Sequence, residues 1–213
     1  MRWWRTFLGV AEPIETRLER IAAQRWVVLD VETGGLDAQR DPLLAIGAVA
    51  VRDGRIDIDD SFETVVRPPA PSDRANVLIH GIGQGAQREG VEPAVACSGF
   101  LEWAGDAPFV AFHAAFDRGF LSRAVRDALG SKLEARWLDL AALAPALNPG
   151  LQAKALDDWM VHFGLQVEQR HNASADAFVT AMLFLRLLAQ VPAVDRDVGS
   201  LQRLAQAQRW TGG

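Results

Sequence analysis

Asp30 and Glu32 close an apolar, valine-rich run, Arg25 to Glu32 (RWVVLDVE). On a strand, residues two apart project from one face. The two carboxylates would therefore stand side by side at the edge of a partly dry surface. Such neighbours coexist when one is protonated or when a cation lies between them. A hard divalent ion that favours oxygen ligands, Mg²⁺ or Mn²⁺, is the natural partner. The plainer alternative is that one acid caps the following turn, Thr33-Gly34-Gly35.

Two further acids sit in comparable settings. Asp117 falls in the first turns of a helix that begins where a strand ends, with Phe116 and Phe120 four apart beside it. The backbone dipole also favours an acid there, so a capping role stays open. Asp176 lies just inside a strongly apolar helix, where an unpaired charge costs several kcal/mol. His171, five residues upstream, could reach the same place and serve as a general base near neutral pH. A structural histidine is the other reading.

The elements that must position these groups follow from periodicity. Arg25 to Glu32, Leu43 to Val51 and Arg55 to Val66 read as an antiparallel meander, with hairpin chemistry at Asp53-Gly54. Pro68, Pro69 and Pro71 stop the sheet. Helix and short strand then alternate: helix Val91 to Ala104, strand Pro108 to Phe112, helix Ala114 to Leu129, strand Ala135 to Leu138. Helices at Lys154 to Phe163 and Ala173 to Ala189 follow, the latter apolar nearly all round and so expected to be buried. The pattern implies an α/β fold, a mixed five-stranded sheet flanked by helices, in the ribonuclease-H-like layout. Residues 1–25 read as an N-terminal helical extension, with Ile14, Leu18 and Ile21 at helical spacing and Trp3, Trp4, Phe7 and Leu8 ahead of them. Residues 26–190 form the main domain, and 191–213 a short tail with a helix at Leu201 to Arg209.

Taken in order, Asp30-x-Glu32 in DVETGGL, Asp117 in HAAFDRGFL, and His171 with Asp176 in HNASAD resemble the DnaQ-like DEDDh 3′→5′ exonuclease family. Leu78-Ile-His80-Gly-Ile82 and Trp137-Leu-Asp139-Leu resemble further family segments, and the likeness runs from about Trp26 to Ala189. It implies hydrolysis of phosphodiester bonds at the 3′ end of single-stranded nucleic acid, DNA somewhat ahead of RNA, with release of nucleoside 5′-monophosphates. Asp30, Glu32, Asp117 and Asp176 would hold two divalent cations, Asp117 largely through water, and His171 would deprotonate the attacking water. Thr33, Gly34, Gly35 and Leu36 match the turn that receives the terminal nucleotide, with His80, His113 and Phe116 as further substrate contacts. A sister subclass uses tyrosine in place of the histidine, and this chain has none. The departure is His113, where the family commonly has Asn. An RNA-trimming enzyme, or a catalytically inactive interaction module on the same fold, are the alternatives.

Composition sets the remaining bounds. The 213 residues are 49% hydrophobic and 23% charged, which fits one soluble domain with short appendages. A net charge of −5 argues for a local grip on nucleic acid through metal ions rather than a long basic groove. The single cysteine, Cys97, excludes an internal disulfide and any multi-cysteine zinc site, and reads as a small core residue. No apolar run approaches the roughly 20 residues of a membrane span. A cytoplasmic setting is expected, and a DNA polymerase or another protein is an allowed partner. Gly81-Ile-Gly83-Gln-Gly85-Ala86 fits a loose dinucleotide-binding pattern without a β-α-β setting and is set aside.

Overall fold

The valine-rich run forms the first strand, β1 (Trp26–Thr33), and its alternation decides the layering. In the computed structural model, which describes residues 12–166 and 172–207, Trp26 and Val28 face one core and Val27, Leu29 and Val31 face another. A strand buried on both sides must lie inside its sheet. β1 is accordingly the middle strand, with β2 (Leu43–Arg52) and β3 (Arg55–Val65) on one side and β4 (Phe109–Ala111) and β5 (Trp137–Asp139) on the other. β1, β2 and β3 pair antiparallel, while β4 and β5 run parallel to β1. The β2–β3 hairpin turns on Asp53 and Gly54, both at positive φ, as its twist requires. The sheet ends where expected, because Val66 makes only an isolated bridge and the prolines follow.

One core holds Phe100 of α4 (Pro93–Ala104) and Phe120 and Leu121 of α5 (Ala114–Leu129) against Leu29 and Phe109. Cys97 is buried in α4, and burial pushes its thiol up to about 11. The other core is dominated by α8 (Ala173–Leu188), whose Val179, Leu183, Phe184 and Leu187 are fully buried. Phe184 meets Trp26 edge-on at 5.1 Å, and each such side chain contributes about 1.5–3 kcal/mol by leaving water.

Several elements differ from the sequence reading. Two short helices, α2 (Arg74–His80) and α3 (Gln84–Glu89), fold a stretch that had no periodic signal. Asp73 caps α2, and the glycines of the dinucleotide-like pattern end α2 at Gly81 and begin α3 at Gly83. β5 starts two residues later than expected, and Asp139 caps α6 (Leu140–Leu147) through the Ala141 N–H. The helix α7 (Leu156–Phe163) begins at its Asp158 staple, which accepts from Lys154 and Ala155. The last helix, α9 (Val198–Ala207), begins three residues early because Asp197 accepts the Ser200 N–H at 3.0 Å. Its Val198, Leu201 and Ala205 enter the α8 core, so this stretch is integral to the packing. At the other end, Arg17 of α1 (Ile14–Ala22) pairs with Asp197 at 2.9 Å. The Trp3/Trp4 segment lies outside the described residues.

Candidate metal centre and active site

Asp30 and Glu32 continue the Trp26/Val28 parity, so they lie on the face of β1 that α8 covers. Asp176 sits in the first turn of α8, buried, directly over that face. One ligand oxygen from each of Asp30, Glu32 and Asp176 falls within 4.8 Å of the others. Burial and then the neighbouring Asp176 push the Glu32 carboxyl up to about 7. Three acids so close in a half-buried place repel one another unless positive charge intervenes. The set is all oxygen and hard, so the residues fit a divalent cation.

Asp117 approaches from the opposite layer. It is buried in the first turn of α5, and its carboxyl accepts from its own N–H and from that of Val31, between Asp30 and Glu32. Burial dominates its chemistry and pushes it up to about 8, with the charges of Asp139 and Glu32 adding to the rise. It borders the trio without sharing its tight geometry. The rings of Phe116 and Phe120, on the same helix, lie 4.8 Å apart.

The loop after β1 is shaped by close approaches. The Gly34 N–H donates to the Pro42 carbonyl at 2.8 Å, and Thr33 Oγ1 to the Gly35 carbonyl at 2.6 Å. A Cβ on Gly34 would lie 2.7 Å from the Pro42 ring, and one on Gly35 2.2 Å from the Asp41 carboxylate. Arg123 of α5 donates to the Asp41 carbonyl and ties the loop down. Leu36 is left 88% exposed at the tip. Sequence inspection gave no sign of the Asp41 and Arg123 contacts, because neither residue lies in a motif.

His80 lies at the end of α2. It is only 2% exposed, and its Nδ1 accepts the Ile82 N–H at 3.0 Å, so the ring secures the link between α2 and α3. Burial lowers its pKa, which keeps it neutral. His113 is exposed at the β4–α5 junction, in a left-handed conformation (φ 61°), with its N–H held by Asp139 at 3.0 Å. Asp139 thus does double duty, since it also caps α6 through the Ala141 N–H. His171 lies outside the described residues, immediately before Asn172, which caps α8 through the Ser174 and Ala175 N–H groups.

A mixed sheet with helices on both faces, and acids gathered at the end of its central strand, defines a nuclease-type ribonuclease-H-like fold. The family model described as exonuclease (RNase T) matches residues 27–184, and the chain belongs to that family. Among curated relatives, DNA polymerase III PolC-type of Thermotoga maritima is 37% identical over 166 residues, covering 76% of this chain and 12% of that protein. The chain thus spans about one eighth of the length of such relatives. Among solved structures, Exonuclease X in complex with 5′ overhanging duplex DNA aligns with a TM-score of 0.63 at 24% identity, covering 78% of this chain and 91% of that one. Escherichia coli Exonuclease I in complex with a dA16 oligonucleotide aligns with a TM-score of 0.69 at 16% identity, covering 86% and 42%. These likenesses show the fold. Among the described residues, no helix is long and apolar enough to cross a membrane.

Proposed function

We propose that this domain is a metal-dependent 3′→5′ exonuclease that removes nucleoside 5′-monophosphates from single-stranded nucleic acid, DNA ahead of RNA. The observation that carries this reading is the convergence of Asp30, Glu32 and Asp176 to within 4.8 Å. When bound there, Mg²⁺ or Mn²⁺ ions would supply positive charge for the attacking and leaving oxygens. Asp30, Glu32 and Asp176 would hold them directly, and Asp117 would contribute from its edge of the site. His171 takes the proton of the attacking water. Thr33, Gly34, Gly35 and the exposed Leu36 present a rigid rim for the terminal nucleotide, with Leu36 against its base. Phe116 and His113 would add further contacts to the substrate.

The preference for DNA rests on the oligonucleotide complex of Exonuclease I and on the DNA polymerases among the relatives. The same relatives support work beside a polymerase, in cis or as a partner. The test is release of mononucleotide from 3′-labelled single strands, with matched DNA and RNA, in Mn²⁺ and in EDTA. Metal-dependent release from the 3′ end, lost in Asp30→Ala, is expected. A purified protein that cuts neither strand while a related exonuclease cuts both defeats the proposal, and faster release from RNA reassigns the substrate.

A further inference from the structure

Gly47 lies on β2 directly across the ladder from Asp30. A Cβ built there would sit 2.2 Å from the carbonyl carbon of Ala173, 2.3 Å from the Ser174 nitrogen and 2.5 Å from the Ala173 oxygen. All three are backbone atoms, so no side-chain rotation makes room. The first turn of α8 therefore rests on bare strand backbone at the rung that carries Asp30. Asp176 follows that contact by two residues on the same helical turn, which Asn172 caps. Among the described glycines, only Gly47 would bring a Cβ within 3.0 Å of helix backbone.

We propose that Gly47 is a positioning residue for the metal-holding carboxylates: its missing side chain sets how closely Asp176 comes to Asp30 and Glu32. The inference rests on the metal reading above. A methyl group at Gly47 must lift the helix start by more than about 1 Å to restore ordinary carbon contacts. Ligand sets tolerate only about 0.2 Å. The trio would therefore open before the distant core, at Phe184 and Leu187, is disturbed.

The experiment measures Mn²⁺ affinity by calorimetric titration of the full chain for wild type, G47A, V49A and D30N. Val49 is buried on the same strand and reports plain loss of packing. G47A is expected to weaken Mn²⁺ binding about tenfold or more, whereas V49A lowers the metal-free melting temperature but keeps wild-type affinity. G47A that folds and binds Mn²⁺ like wild type overturns the proposal, as does an equal loss of affinity in V49A. Should G47A not fold, N172A carries the test, since it loosens the same helical turn without adding bulk. Weaker Mn²⁺ binding supports the proposal and unchanged binding overturns it. D30N that binds Mn²⁺ as tightly as wild type sinks the metal reading itself, which separates the two failures.

Discussion

Lowering the pH from 8 to 6 should weaken divalent-metal binding by about tenfold through Glu32 alone. Its carboxyl sits at about 7 in the metal-free protein, against an ordinary 4.5, and a carboxylate must lose its proton to bind metal. Asp117, at about 8 for the same reason of burial, steepens the slope if its ionised form is also needed. The sign for stability runs the other way. A carboxyl whose folded value is raised binds its proton more tightly in the folded state. The stability it confers on the metal-free fold is complete below the ordinary value, 4.5 for Glu32 and 3.8 for Asp117, and is lost as the pH rises through about 7 and about 8 respectively. Melting temperature in EDTA should therefore fall between pH 5 and 8, while the added stabilisation from Mn²⁺ grows over the same interval. Glu32→Gln, which mimics the protonated acid, should stabilise the metal-free protein at pH 8 by about 1–2 kcal/mol, allowing for partial exposure. The same variant should bind Mn²⁺ more weakly. Thermal melts with EDTA or Mn²⁺ at four pH values read both effects. An Mn²⁺-induced shift that stays flat from pH 6 to 8, or a Glu32→Gln variant less stable than wild type in EDTA, refutes the reasoning.

Other substitutions separate chemistry from support. Asp176→Ala should reduce nucleotide release at least about 10²-fold and weaken Mn²⁺ binding in the same titration. His171→Ala should lower turnover by about 10²–10⁴-fold and leave Mn²⁺ affinity unchanged, a split that titration and single-turnover assays show directly. Leu36→Ala should change stability by less than about 0.5 kcal/mol, given its exposure, yet raise KM for oligonucleotides. Asp139→Ala removes acceptors for the His113 and Ala141 N–H groups and should cost about 1–2 kcal/mol in denaturant melts.

The chain's periodicity showed its sheet plainly, because the strands alternate between two cores and their turns carry Asp-Gly and proline. It showed the long helices too, and α5 has the bounds that its pattern suggests. The short α2 and α3 stayed invisible because their stability comes from caps and from buried Gln87, which accepts from the Ser72 N–H and donates to the Ile82 carbonyl, not from an apolar stripe. The early start of α9 was hidden by Gly199, whose low helix propensity is outweighed by the Asp197 cap. At the site, residue type and order pointed to Asp30, Glu32 and Asp176, since acids inside apolar elements need a partner or a cation. Long-range fits left no such mark. Gly47 reads as an ordinary strand glycine until α8 is placed above it, and Asp41 reads as a loop acid until Gly35 is seen against it.

His113 shows how far backbone geometry can account for the residue at a strand–helix junction. The position has φ 61° and ψ 48° and forms the junction between β4 and α5. For most side chains that conformation costs roughly 1–2 kcal/mol; Asn, Asp and His are the non-glycine residues that adopt it several times more often than others. Histidine, like asparagine, can therefore occupy this junction without moving the helix that delivers Asp117, because the Asp139 latch grips the backbone N–H and not the side chain. On this account His113→Asn should melt within about 0.5 kcal/mol of wild type and keep its nuclease activity, whereas His113→Val should lose about 1–2 kcal/mol from strain. Thermal melts of the two variants, with Mn²⁺-dependent turnover measured alongside, decide it. If His113→Val is as stable as His113→Asn, the left-handed backbone does not explain the choice of residue. If His113→Asn folds normally but loses turnover, the imidazole itself contributes to the chemistry.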